Sequence, residues 1–352
     1  MAGTNKTIVR AGFEALYYSG AYRLLQPVTA GIGVILTLHH VRPARDGAFQ
    51  PNRLLEVTPE FLDEAIARVR AAGLETVSID EVHRRLVSGD HGKRFVCFTV
   101  DDAYRDIAQW AHPIFERHGV PYALYVPTRF PDGAGELWWV ALETVIARAE
   151  RVTLTMEGAE KSFSCASTEE KWATYDTIYW WLRSLPTETA LRAAVADLAR
   201  AHGVDMAELC RDLCMSWEEI GALAADPLVT IGAHTVNHVM LGKVPAEAVR
   251  AEMADGVAQI EARLGVQARH FAYPVGDRVA AGPREFATAG ALGFKTAVTT
   301  RPGVLFPEHR AHLMALPRIS LNGEFQHRRY LDVLLSGAAT ALWTRFRRVD
   351  AA

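Results

Sequence analysis

The chain has 352 residues, 49% of them apolar, with 38 basic and 41 acidic side chains giving a formal charge of −3. So much apolar material can bury a large core, which excludes a disordered chain. The near balance of charge, without a dense Lys/Arg tract, excludes nucleic acid as an expected partner.

Taken in order, the elements begin with an N-terminal helical extension over 1–32 and a first apolar run, Gly33–Leu38. Thr58 caps a helix with Pro59 at its first turn and the stripe Phe61, Leu62, Ala65, Ile66 and Val69, ending at Gly73. Further runs at Thr76–Ile79, Phe95–Val100 and Tyr122–Val126 read as strands. From 135 to 226 the pattern is helical, with capping boxes at Ser167/Glu170 and Ser216/Glu219, and predicts an inserted subdomain. Strand-like runs return at Val229–Gly232, Phe271–Tyr273 and Lys295–Thr300, separated by a helix from Pro245 to Gly265.

Strands that are apolar almost throughout, alternating with helices, predict a parallel α/β barrel in two parts, 33–134 and 227–322. An amphipathic helix over 323–352 closes the chain. Its Leu331, Leu334 and Leu335 beside Arg345, Arg347 and Arg348 allow peripheral membrane contact, although docking onto the barrel or a partner subunit is the favoured expectation.

Cys97, Cys165, Cys210 and Cys214 lack the spacing of a disulfide framework, and Arg10, Glu14 and Arg23 interrupt what would otherwise be an N-terminal apolar core. Reduced thiols and a cytoplasmic location follow as expectations. No run of about 20 uncharged apolar residues predicts a transmembrane segment.

Polar residues gather where the predicted strands end. His39 and His40 follow the first, Asp101 and Asp102 the third, His234 and His238 the fifth, and Tyr273-Pro274-Val275-Gly276 the sixth. In β/α barrels the C-terminal rim carries the site, so these scattered residues predict one pocket. One carboxylate with two imidazoles suits a divalent metal, and a second carboxylate is then free to act as a base. Six of the eight tryptophans fall within 135–226, among them Trp138 and Trp139, and could stack on sugar rings, although helix packing is the plainer role.

The segments Phe-Thr-Val-Asp101-Asp102-Ala-Tyr-Arg-Asp, His234-Thr-Val-Asn-His238 and Phe-Ala-Tyr-Pro-Val-Gly resemble the polysaccharide deacetylases of carbohydrate esterase family 4, the NodB-homology group. The resemblance spans about 33–130 and 228–320, leaves the helical interval outside, and implies a distorted (β/α)7 barrel. It implies that Asp101 is the base and that Asp102, His234 and His238 hold the metal. That metal is expected to be Zn2+, and the same ligands also suit Fe2+, Co2+, Ni2+ or Mn2+. The implied reaction removes acetyl groups from an N-acetylated oligo- or polysaccharide, with the Val275 N–H on the developing oxyanion.

The pattern departs from the resemblance in three places. No late Leu-His-Asp-like segment supplies an acid; Leu-Thr-Leu-His39-His40-Val is similar to the early Tyr-His motif of a subgroup of these deacetylases, which implies an early histidine as the acid, and face geometry prefers His39 over His40. Ala103 replaces the usual glycine after the aspartates, which strains the backbone if φ is positive there. Ala272 stands near the usual position of an arginine that orients the base, leaving Asp277 or Arg318 as substitutes. His309 and His312 read as exposed loop residues, and Tyr104 and Arg105 as residues of an early helix. Two other functions compatible with the fold are hydrolysis of a non-sugar amide and sugar binding by a catalytically impaired relative.

Overall fold

In the computed structural model, which describes residues 3–351, the apolar runs become seven parallel strands. These are β1 (Gly33–Leu38), β2 (Phe95–Val100), β3 (Tyr122–Val126), β4 (Val229–Ala233), β5 (His270–Ala272), β6 (Thr296–Pro302) and β7 (Leu316–Ser320). Hydrogen bonding runs β1-β7-β6-β5-β4-β3-β2 and returns to β1, closing a barrel. The closure pairs Gly33 with Phe95 through to Leu38 with Val100 on one side, and Leu36 with Ile319 on the other.

Side-chain alternation divides each strand between two cores. Ile35, Phe95, Cys97, Ala123, Tyr125, Ala272, Val298 and Leu316 form one cluster, whereas Val34, Leu36, Val96, Phe98, Tyr122 and Leu124 join the larger cluster that includes the surrounding helices. Following the first set upward, Thr37 leads to His39 and Thr99 leads to Asp101. Register alone therefore turns those two residues toward the barrel mouth.

The expected strand Thr76–Ile79 is corrected to a two-residue edge pairing, Glu75–Thr76 against β2, because Ser78 accepts a hydrogen bond from Glu81 N and starts the helix Ile79–Ser88. Strand β7 escapes the apolar pattern because Pro317 and Arg318 break its run. The helix Pro59–Ala71 forms with Thr58 as its cap and the anticipated stripe buried.

The interval 135–226 is not wholly helical. Arg151–Met156 and Ala159–Ser164 form an antiparallel hairpin, turned by Glu157 and Gly158 at φ 54° and 79°. Its alternation is hidden among charged residues, with Val152 and Met156 buried. Helices Trp138–Arg148, Thr168–Ser184, Glu188–Ala201, Met206–Leu213 and Trp217–Ala224 complete it, and both capping boxes form. The expected single C-terminal helix is two, Arg328–Leu335 and Ala338–Trp343, divided at Gly337. They pack on the N-terminal helices Gly3–Tyr18 and Ala21–Thr29 through Phe13, Tyr22, Phe325, Tyr330, Val333 and Ala338.

Candidate functional site

Asp101 continues the inward face of β2, where it is 2% exposed. Burial by itself would raise its carboxyl pKa, but the Arg318 guanidinium, with His234 and His39 contributing, holds it below the ordinary value. Arg318 comes inward from β7 and grips both carboxylate oxygens at 2.8 and 2.7 Å, while its remaining donors meet Thr99 Oγ1 at 3.1 Å and Thr299 O at 2.8 Å. Arg318 is thus a buried partner of Asp101 and not a surface ion pair. Asp277 is elsewhere, bound to Arg183 at 2.6 Å.

His39 Nε2 faces Asp101 Oδ2 across 3.9 Å, with its side chain 17% exposed. Burial lowers its pKa more than Asp101 and Asp102 raise it, which favours the neutral ring. His40 turns the other way, as alternation requires: its Nδ1 is 2.5 Å from Asp106 Oδ2, and its ring stacks on Tyr104 at 3.5 Å between centroids. Tyr104, which the sequence reading left out of the site, is buried and accepts a hydrogen bond from Trp139 Nε1.

Asp102, His234 and His238 converge, all buried, with one possible ligand atom from each within 4.8 Å of the others. The two imidazole Nε2 atoms approach Asp102 Oδ1 at 3.5 and 3.2 Å. Among the described residues that buried oxygen has no hydrogen-bond partner, an arrangement a divalent cation would satisfy. His234 Nδ1–H donates to Ala272 O at 2.7 Å, which leaves the Nε2 lone pair directed toward Asp102. A carboxylate and two imidazoles therefore fit a metal of the zinc type on donor chemistry.

The backbone here is held in left-handed conformations that non-glycine residues rarely adopt: Asp102 has φ 70°, Ala103 51°, Thr235 67°, His238 54° and Val275 61°. The positive φ feared at Ala103 is real. Its carbonyl accepts from Met215 N at 3.0 Å, so the inserted subdomain fastens the turn. The same subdomain supports the histidine loop. Arg192 donates to Asn237 O and His238 O at 2.7 and 3.3 Å, and Glu188 accepts from Met240 N at 2.9 Å. Glu252, on the helix Ala246–Leu264, accepts from Val236 N and Asn237 N at 3.0 and 2.9 Å. None of these supports is visible in a motif. The one local sign is a Glu-x-x-x-Arg pair, Glu188 and Arg192, whose ion pair at 3.2 Å faces the loop.

The Tyr273–Gly276 segment follows β5 at the same rim. Pro274 and Gly276 are buried and Val275 is half-buried. Thr300 fastens the turn through its Oγ1 to Val275 O (2.6 Å) and its N to Gly276 O (3.0 Å). A Cβ at Gly276 would lie 2.8 Å from Thr300 N, so only glycine fits. Among the described residues Val275 N–H has no protein acceptor, which leaves it available to a ligand. The Tyr273 side chain is committed to the core, with its hydroxyl on Met314 O at 2.9 Å.

Trp139 and Phe130 pack against the His238 ring at 4.9 and 5.6 Å, walling the site with apolar surface. Trp138 stacks on Tyr179 and is one layer further out. The expectation of two exposed histidines is corrected for His309, which is fully buried; His312 is exposed. His309 Nδ1 accepts from Phe306 N at 3.0 Å, within a short turn of helix away from the barrel mouth.

The family model described as polysaccharide deacetylase matches residues 172–295, a stretch that includes His234 and His238. It begins inside the interval 135–226, which the sequence resemblance had left outside. No curated protein matches the chain. Solved structures share the fold, three of them as follows. The Streptococcus pyogenes deacetylase PplD in complex with acetate is 17% identical, with 82% of this chain and 92% of that one covered at a TM-score of 0.53. IcaB from Ammonifex degensii is 18% identical, with coverage of 87% and 96% and a TM-score of 0.53. A de-N-acetylase from Aggregatibacter actinomycetemcomitans is 11% identical, with coverage of 86% and 99% and a TM-score of 0.51. Residues 172–295 thus match the polysaccharide deacetylase model, and the closed seven-stranded barrel is the fold that the chain shares with these solved deacetylase structures.

Proposed function

We propose that the protein is a metal-dependent deacetylase that hydrolyses the N-acetyl group of an amino sugar in an oligo- or polysaccharide and releases acetate. The observation that carries this reading is the pairing of two differently partnered carboxylates at one barrel mouth. Asp102 faces two imidazoles, and Asp101 is held apart from them by Arg318. Asp102, His234 and His238 would hold the metal, zinc being the first choice. When bound, it supplies Lewis-acid polarisation of the acetamide carbonyl and acidifies water.

The chain's own groups account for the proton movements. Asp101, kept ionised by Arg318, accepts a proton from the attacking water. Val275 N–H is free to donate to the carbonyl oxygen as its charge grows. His39, neutral and across 3.9 Å from Asp101, then relays to the departing amine the proton that Asp101 has taken up, so that both side chains return to their starting states. Because Arg318 supplies from β7 the guanidinium that Ala272 lacks, an active enzyme is favoured over an impaired sugar-binding protein. Four buried, unpaired thiols support a reducing compartment such as the cytoplasm.

The test is acetate release from N-acetylglucosamine oligomers by protein stripped of metal and resupplied with zinc or cobalt, beside Asp102→Ala. Activity restored by metal and absent from the variant is the expected result. Absence of acetate release from metal-saturated protein would overturn the proposal, and turnover of simple amides alone would reassign the substrate.

A further inference from the structure

The terminal helices carry a surface that the chemistry at the barrel mouth does not use. The helix Ala21–Thr29 is tied to the C-terminal segment by Thr29 Oγ1, which donates to Ser336 O at 2.8 Å. Contact is close because Gly337 has φ 73°, and a Cβ there would lie 2.0 Å from Thr29 O. Val28, Ala341 and Phe346 line one cavity of about 200 Å³, so the outer sides of the two segments are neighbours.

Those outer sides are apolar and bare. Leu24 is 82% exposed, Val28 64%, Leu342 49%, Trp343 70% and Phe346 56%. After the helix Ala338–Trp343 the chain takes two successive left-handed residues, Arg345 at φ 52° and Phe346 at 61°, a backbone that non-glycine residues rarely adopt. Clusters of exposed apolar side chains on one face mark an interaction surface.

The charge around this face selects the partner. Residues 15–30 and 333–349 contain Arg23, Arg345, Arg347 and Arg348 and not one Asp or Glu, and Asp350, which lines the same cavity, is engaged by Arg278 and Arg301. Arg348 is engaged by Glu308, whereas among the described residues no ion pair involves Arg23, Arg345 or Arg347. A second copy of the chain meeting this face by two-fold symmetry would set like charges against each other. An anionic lipid surface has the opposite property: arginines meet headgroups while Leu, Val, Trp and Phe enter the acyl boundary. No helix among the described residues is long and apolar enough to cross a membrane, so the contact is interfacial.

We propose that the face formed by Leu24, Val28, Leu342, Trp343 and Phe346, rimmed by Arg23, Arg345 and Arg347, docks the protein onto an anionic membrane surface. The proposal is independent of the deacetylase reading. It is tested with the full chain by co-sedimentation with phosphatidylcholine vesicles with and without phosphatidylglycerol, comparing the paired variants Trp343→Ser/Phe346→Ser and Arg345→Glu/Arg347→Glu. These side chains are exposed, so an unchanged melting temperature verifies folding whether or not the chain proves to be a deacetylase.

The expected result is binding only to vesicles containing phosphatidylglycerol, weakened by salt and reduced at least about tenfold in each paired variant. Failure of the natural protein to bind such vesicles, or equal binding by the variants, would overturn it. So would a concentration-dependent dimer that these substitutions dissolve in the absence of lipid, which would assign the face to a second copy.

Discussion

Removing Arg318 tests the site at its most buried point. The guanidinium is 1% exposed and makes two hydrogen bonds to Asp101 and one each to Thr99 and Thr299. Arg318→Met keeps most of the volume but strands a carboxylate that is 2% exposed and that faces the neutral His39 ring across 3.9 Å. Stranding one member of a buried pair costs about 3–5 kcal/mol, a large share of the roughly 5–15 kcal/mol that holds a domain folded. Asp101→Asn in the same chain removes the stranded charge and should recover about 1–3 kcal/mol of that loss.

The pair also predicts a shift in pH dependence. Arg318 lowers the Asp101 pKa in the folded protein, so the associated stability is present above the unfolded value of about 3.9 and disappears as pH falls through the folded one. Arg318→Lys keeps a charge but loses the two-pronged grip, so the Asp101 pKa rises and the acidic limb of kcat/KM moves to higher pH. Urea denaturation of the Met and double variants, with pH–rate profiles of the Lys variant, measures both effects. A stability loss below about 1 kcal/mol in Arg318→Met would refute the buried pair. An acidic limb that stays put in Arg318→Lys would reduce Arg318 to a structural residue.

Three further outcomes follow from the geometry. Arg192→Met, which frees Asn237 O and His238 O without touching a proposed ligand, should weaken zinc affinity about 10–100-fold in a chelator competition; unchanged affinity would sever the inserted subdomain from the histidine loop. His39→Gln should lower kcat about 10²–10⁴-fold with KM little changed, whereas His40→Gln, one layer out on Asp106, should cost less; equal losses would reject the division of roles between the two histidines. His309, its pKa pushed down to about 4 by burial, contributes stability that is complete above the unfolded value near 6.5 and fades as pH falls toward 4. That amounts to about 3 kcal/mol at 1.36 kcal/mol per pH unit, so His309→Asn should flatten the fall in unfolding free energy over this range, and an unaltered slope would contradict the assignment.

The sequence by itself determined what depends on neighbours along the chain. Six of the seven barrel strands are legible because a strand covered on both faces must be apolar throughout. Asp101 and Asp102 are legible because they end such a strand, and His39 is separated from His40 by strand alternation alone. Capping boxes at Ser167 and Ser216 and the helix after Thr58 form as written because caps are contacts over three residues. The hairpin at Arg151–Ser164 went unread because its alternation is carried by few apolar residues amid charge. What only the tertiary structure decided are the contacts whose partners lie far apart. Arg318 reaches Asp101 across 217 positions, and Arg192 reaches His238 across 46. A charged residue in a strand reads as a break in the pattern until the barrel closes and brings its counter-charge within hydrogen-bonding distance. Ring closure created that proximity, and no local signal encodes it.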